Sequence, residues 1–294
     1  MEFIPAKTIV NKTKTSCWFG INYIMNIYKG CCHGCIYCDS RSRCYQIDNF
    51  DTVRAKLDST DMIDRELKSK IKKGVIGTGA MSDPYNPFEK KYKLTREALK
   101  LIDKYRFGVA IDTKSSLITR DIDILKDIKD HSPTIAKITI TTWDDKISKI
   151  VEPYVSSSSE RFESIRKLSE AGIYTGILMG PMLPFIEDTK DNVMGIVNLA
   201  YENGANFIST HPGLTLRDNQ REWYYNKLDE TFPNLKHKYI KTYEDRYDCL
   251  SPKYKELMYI FKEECAKKNI LYKMEDIIDA YKKSYETTQI SLFD

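Results

Sequence analysis

Tyr23-Ile24-Met25-Asn26-Ile27-Tyr28-Lys29-Gly30-Cys31-Cys32-His33-Gly34-Cys35-Ile36-Tyr37-Cys38 is a β-prone run that stops at a glycine and opens into a loop crowded with cysteines. Aromatic and β-branched side chains at 23–28 read as a strand. Working outward, the same kind of short run recurs at 74–77, 107–111, 135–141, 174–178 and 206–209, with helical patterns between at 61–72, 95–105, 121–129, 158–171 and 188–203. Such alternation predicts a parallel sheet wound with crossover helices. The fold class is therefore α/β, a partial (β/α)6 TIM-like barrel, and the loop at 30–41 leaves the end of its first strand. Chemistry sits at the C-terminal ends of the strands in a barrel of this kind.

Local signals agree with these elements. Thr95 stands where an N-cap is expected, the serines at 156–159 precede a helix that they can cap, and Gly172 and Gly204 follow helices where left-handed caps form. Beyond residue 209 the period changes. Pro212, Pro233 and Pro252 punctuate a Tyr-rich region that ends in helical patterns at 251–267 and 275–285. The expected organisation is a barrel over 1–210, a mainly helical C-terminal extension over 211–285 packed on it, and a tail over 286–294.

Bulk composition excludes some classes. The chain has 294 residues, 41% of them hydrophobic and 30% charged, and no apolar run approaches the roughly 20 residues that span a bilayer. No membrane helix is expected, and residues 1–14 lack the apolar core of a signal peptide, so the expected location is the cytoplasm. A net charge of +4 permits nucleic-acid binding without arguing for it. Basic residues cluster at 68–73 and 236–241, where solvated helix faces are the ordinary reading.

The cysteines say more. Five of the eight fall at Cys31, Cys32, Cys35, Cys38 and Cys44, and Cys17, Cys249 and Cys265 are scattered singly. In a reducing compartment such clustering points to metal. The spacing C-x3-C-x2-C at Cys31, Cys35 and Cys38 suits a [4Fe–4S] cluster with one iron left open, which can bind the amino and carboxylate groups of S-adenosylmethionine (AdoMet). Gly30 and Gly34 let the loop turn tightly around a bulky group, and Tyr37 is placed to lie against an adenine. A zinc site completed by Cys32, His33 or Cys44 is the alternative on spacing alone.

At these residues the chain resembles the radical AdoMet (radical SAM) superfamily, and more narrowly its spore photoproduct lyase-like branch. The matches are Tyr28-Lys29-Gly30-Cys31 with His33 to Arg41, Met81-Ser82-Asp83-Pro84-Tyr85 with Pro87 and Glu89, Leu94-Thr95-Arg96, Thr113-Lys114-Ser115, Arg120-Asp121, and Pro181-Met182-Leu183-Pro184. The resemblance implies that Ser82 meets the AdoMet amino group, with Asp83 beside it among the cofactor-binding residues. It also implies that Lys114 meets the carboxylate and that Thr139 faces the ribose. An electron donor such as flavodoxin or ferredoxin is implied as a partner.

The departures bear on the reaction. The lyase's hydrogen-returning cysteine stands two residues before the Ser-Asp pair, where this chain has Ala80, and a lyase tyrosine after the third cluster cysteine is replaced by Asp39. If a hydrogen donor is needed, Cys249, Tyr247 and Cys17 are the candidates.

The sequence ends Gln289-Ile290-Ser291-Leu292-Phe293-Asp294, which resembles the peptide by which bacterial polymerases and repair proteins hook onto the sliding clamp. Gln289 would make the polar contact, and Leu292 and Phe293 would enter a groove. The expected function is a radical SAM enzyme acting on DNA or a nucleobase lesion. A radical SAM enzyme modifying a peptide, RNA or a small molecule is the second reading, and a non-catalytic zinc protein that binds nucleic acid is the third. Trp223-Tyr224-Tyr225 could stack on bases, but aromatic clusters at helical spacing are more often core.

Overall fold

The computed structural model describes residues 1–15 and 18–285; Cys17 and the tail from Glu286, with Gln289, Leu292 and Phe293, lie outside the described residues. The chain opens with short strands β1 (Glu2–Ile4), β2 (Val10–Lys12), β3 (Tyr23–Met25), β4 (Tyr28–Lys29) and β5 (Arg54–Lys56). Strand and helix then alternate through α1 (Ser59–Ser69), β6 (Val75–Thr78), α2 (Glu89–Tyr92), α3 (Leu94–Lys104), β7 (Gly108–Thr113), α4 (Ile122–Lys129), β8 (Thr134–Thr139), α5 (Asp145–Val151), α6 (Ser158–Glu170), β9 (Tyr174–Met179), α7 (Lys190–Glu202) and β10 (Phe207–Thr210). After the barrel come β11 (Gly213–Thr215), α8 (Gln220–Thr231), α9 (Leu235–Tyr243), β12 (Asp248–Leu250), α10 (Tyr254–Lys267) and α11 (Met274–Lys282).

The main sheet runs β10-β9-β8-β7-β6-β3-β2, with every pair parallel except β2 against β3. Its six parallel strands match the six runs read from the sequence. They are buried along almost their whole length, as β6 and β8 show, because helices cover one face and barrel contents the other. Ile63, Leu67, Leu99, Ile102, Leu125, Ile165 and Val193 on the covering helices meet Ile76, Val109, Ile111, Ile138 and Ile177 on the strands in one core.

The first predicted strand is interrupted. It leaves the main sheet after Met25, and β4 then joins a second small sheet of order β1-β5-β4. This detour lets residues 31–38 begin over the barrel and be clasped by the returning chain, where the Cys31 N–H donates to Phe50 O at 2.8 Å.

Helix boundaries differ from expectation at one cap. Thr95 lies inside α3, buried, with its hydroxyl donated to Pro84 O at 2.6 Å; Lys93, in the left-handed region at φ 53°, begins that helix instead. Ser157 does cap α6, in a capping box with Glu160, and Gly172 and Gly204 take φ of 75° and 74° after their helices.

The sheet does not close on itself. Between its ends, β10 and the β2–β3 pair, Phe19 meets Phe207 at 5.6 Å between ring centroids, and Tyr281 of α11 donates its hydroxyl to Phe19 O at 2.5 Å. Tyr174 stacks between Phe207 and Tyr281. Among the described residues no helix is long and apolar enough to cross a membrane.

Candidate active site

The C-terminal ends of the parallel strands surround a cavity of about 320 Å³, within the size range of small-molecule sites. Cys31, Cys35 and Cys38 line it from the cysteine loop, and Ser82, Lys114 and Thr139 line it from the ends of β6, β7 and β8. The sequence-predicted cluster and cofactor residues, including Tyr37 and Asp83, are thus brought to one cavity. Cys32 and Cys44 do not line it: Cys32 packs against the barrel core, and Cys44 is exposed.

Backbone groups of the loop tie it to its neighbours. The Ile36 N–H donates to Val151 O at 3.0 Å, the Tyr154 N–H to His33 O at 3.1 Å, and the Gln220 amide to Tyr37 O at 2.9 Å. Gly30, at φ +79°, has no room for a side chain, since a Cβ there would stand 2.4 Å from Thr52 O. The neighbouring turn after β6 is as tight: a Cβ on Gly79, at φ +103°, would stand 2.0 Å from Asp112 O.

Burial, with Glu152 and the neighbouring thiols, drives the Cys35 thiol well above its ordinary value against the opposing pull of Lys114, so its negative form needs a cation. Three thiols on one tight loop, facing a lysine across a cavity, fit a [4Fe–4S] cluster whose fourth iron takes another ligand. Among the described residues no three His, Cys, Asp or Glu side chains converge around a point as a single-ion site requires.

Asp83 organises the wall. Its carboxylate accepts from the Thr113 hydroxyl at 2.7 Å and from the backbone N–H groups of Tyr85 and Lys114, each at 2.8 Å, with His33 Nδ1 at 3.6 Å. The Ser82 hydroxyl donates to Gly30 O at 2.6 Å, tying β6 to the cysteine loop and leaving its oxygen able to accept. Burial pulls the Lys114 ammonium toward neutrality, but negative charge at Cys35, Glu152, Cys38 and Asp83 outweighs it and raises its pKa. Lys114 therefore stays cationic, 5.7 Å from the centroid of the Tyr37 ring.

Behind Tyr37 lies a buried network that sequence reasoning missed. The Tyr37 hydroxyl donates to Glu152, which pairs with Arg161 at 2.6 Å, both side chains fully buried. Arg161 also donates to Thr139 O and to the Ser148 hydroxyl, each at 2.7 Å. Burial alone would raise the Glu152 pKa, yet Arg161 and Lys114 hold it below the ordinary carboxylate value. The network joins the cluster loop, α5, α6 and the end of β8, so Tyr37 and Thr139 share one support. His211, after β10, was also missed; it lines the cavity with Nε2 3.5 Å from Asp248 Oδ1.

The hydrogen-donor candidates fall elsewhere. Cys249 is fully buried in the core of the extension, and Tyr247 is 49% exposed with its hydroxyl accepting from Arg217 at 2.9 Å; neither lines the cavity. Ala80 does line it. Tyr224 and Tyr225 are core residues, and Trp223 lies under the Arg41 guanidinium at 3.6 Å.

Residues 25–200 match the family model of the radical SAM superfamily. The chain belongs to that superfamily. It is a radical SAM enzyme, and membership, which implies a [4Fe–4S] cluster and AdoMet, replaces the zinc alternative. An uncharacterized protein of Methanocaldococcus jannaschii is 35% identical over 190 residues, 64% of this chain and 69% of that one. Spore photoproduct lyase complexed with a dinucleoside spore photoproduct has a similar fold, with TM-score 0.66 and 15% identity over 90% of this chain and 78% of that one. A doubly substituted form of the lyase, with bound AdoMet and the same lesion, matches with the same TM-score, identity and coverage.

Lys114→Ala is expected to weaken AdoMet binding by about 1.5–3 kcal/mol, roughly tenfold or more in Kd, through loss of a charge-assisted hydrogen bond. The visible spectrum of the cluster should not change, because the lysine does not hold iron. Equilibrium dialysis with labelled AdoMet measures this, and an unchanged Kd would remove Lys114 from the cofactor's carboxylate.

Proposed function

We propose that this radical SAM enzyme acts on DNA, with a nucleobase lesion as its substrate. The observation that carries the reading is the fold shared over 90% of the chain with a lyase bound to a dinucleoside lesion. In this reading Cys31, Cys35 and Cys38 hold the [4Fe–4S] cluster and leave one iron for AdoMet. Lys114 pairs with the AdoMet carboxylate, Ser82 accepts from its amino group, Thr139 faces the ribose, and Tyr37 lies toward the adenine. Asp83 supports them by fixing the Lys114 backbone. When bound, the cluster and AdoMet supply a 5′-deoxyadenosyl radical that takes a hydrogen atom from carbon.

Ala80 replaces the cysteine through which the lyase resemblance would return a hydrogen atom, so the proposed reaction does not use that relay. Cys249, buried in the extension's core, is set aside as a donor, exposed Tyr247 could serve only a substrate that reaches beyond the cavity, and Cys17 lies outside the described residues. The electron comes from a flavodoxin or ferredoxin. Gln289, Leu292 and Phe293 dock on the bacterial sliding clamp, which raises the local concentration of DNA around an enzyme whose own charge is only +4.

Anaerobic reduction of reconstituted protein with AdoMet, with 5′-deoxyadenosine as the readout, tests the reading. More 5′-deoxyadenosine is expected with ultraviolet-damaged DNA than with undamaged DNA. Equal release with damaged, undamaged and no DNA would sink it.

A further inference from the structure

Next to the cavity-lining residues Asp39, Ser40, Leu214, Thr215 and Gln220, residues 41–45 and the segments flanking the β11–β12 pair bring several arginines together. Arg41, Arg96, Arg120, Arg161 and Arg166 each pair with a carboxylate. Among the described residues Arg43, Arg217, Arg221 and Arg246 have no such ion pair; Arg54, Arg65 and Arg106 share that lack, but these four are linked by local hydrogen bonds. Arg43 Nε donates to Asn219 at 3.2 Å; Arg217 donates to Cys44 Sγ at 3.1 Å and to the Tyr247 hydroxyl; Arg221 donates to Arg246 O at 2.6 Å.

Aromatic rings hold the central member. The Arg217 guanidinium lies 5.4 Å from the centroid of Tyr247 and 5.8 Å from that of Tyr45. Its backbone N–H donates to Gln220, whose amide in turn holds Tyr37 O of the cluster loop. Thr215, paired with Asp248 across β11–β12, lines the cavity, as does His211. Asp218, Glu244 and Asp245 interrupt the basic residues in sequence, so the surface is a track of placed guanidiniums rather than a broad positive field.

Guanidiniums left without carboxylates, fixed by tyrosines and set beside a reaction cavity, match the chemistry of a phosphodiester strand: planar forks for phosphate oxygens and π-faces for bases. Resting on the DNA reading above, we propose that a single DNA strand crosses this track with its phosphates on Arg43, Arg217 and Arg246. It presents one base to the cavity past His211. Unstacked bases are what enzymes acting on a nucleobase require, and a narrow track suits one strand better than a duplex.

The test is anisotropy of a short labelled single-stranded DNA against the reconstituted full chain over a series of salt concentrations. Each phosphate contact on a single strand contributes about 0.7 to the slope of log affinity against log salt. Arg43→Ala with Arg217→Ala should lower the slope by about 1.4 and weaken binding roughly tenfold per arginine. Arg217 bonds Cys44 and Tyr247, so Arg43→Ala alone, an exposed residue whose guanidinium donates to Asn219, guards against a folding defect; its slope should fall by about 0.7. Lys70→Ala with Lys72→Ala, at the other end of the barrel, should leave the slope unchanged.

If the wild type binds and the arginine variants bind with the same slope, the track is wrong and the DNA reading stands. A slope lost equally in the lysine control also overturns the track. A wild type that binds no DNA, or that binds RNA in preference, overturns the DNA reading itself.

Discussion

Replacing any one of Cys31, Cys35 or Cys38 with alanine is expected to abolish cluster assembly and AdoMet cleavage, whereas Cys32→Ala and Cys44→Ala retain both. A cubane held by three thiolates has no spare protein ligand, so losing one leaves two, and the open coordination site ceases to be defined. Geometry separates the five cysteines: three line the cavity, half-buried Cys32 packs against the barrel core, and Cys44 is exposed beside Ser42 and Arg217. The Ser42 hydrogen bond, with Arg217, also lowers the Cys44 thiol pKa, which makes it reactive without making it a ligand. Iron and sulfide analysis with the visible spectrum of anaerobically reconstituted protein decides the matter. Loss of iron from Cys32→Ala would overturn the ligand assignment.

Arg161→Ala is expected to destabilise the fold by about 3–5 kcal/mol, because it leaves Glu152 buried without its partner. The pH dependence follows from the sign of the shift. In the wild type the Glu152 pKa lies below its unfolded value, so its contribution is full above about pH 4.5 and is lost as pH falls through the folded value. Without Arg161 burial drives the same pKa upward, so the folded state carries a penalty at pH 7 that vanishes once the carboxyl is protonated. Urea denaturation should therefore show a larger deficit at pH 7 than at pH 4.5, and Arg161→Met combined with Glu152→Gln should recover much of it. A deficit below about 1 kcal/mol at pH 7 would mean that the pair does not support the loop.

The barrel was legible because its strands are buried on both faces and so read as short apolar runs, and because the cysteine spacing is dense and local. The loop at 31–38 could be marked from its cysteine spacing, whereas residues 82, 114 and 139 could be marked only through the resemblance to the lyase-like branch; all of them line the cavity at the C-terminal ends of the strands. Glu152 and Arg161 could not. Arg161 sits in a polar stretch and Glu152 at the end of a short amphipathic helix, and nothing local distinguishes a buried ion pair from two surface charges.

The Thr95 cap was misplaced because a left-handed Lys93 began the helix two residues earlier, and lysine carries no signal for that conformation. In α8 and α9, aromatic residues pack inward while charged ones follow in no clean period, so the sequence read as a punctuated Tyr-rich region. His211 carries no local signal in the sequence; its place on the cavity depends on a long-range contact, the Met182 N–H donating to His211 O at 3.1 Å.

The Tyr281 hydrogen bond to Phe19 spans 262 residues of chain, and this sets an order of events during synthesis. At about 5–20 residues per second the ribosome takes on the order of 10 to 50 s to travel from one to the other. Throughout that interval the unclosed sheet edges lack the helix that seals them, and the nascent chain is exposed to aggregation there. The cysteine loop has already emerged for nearly all of it, so whatever delivers iron and sulfide meets the ligands on an unfinished barrel.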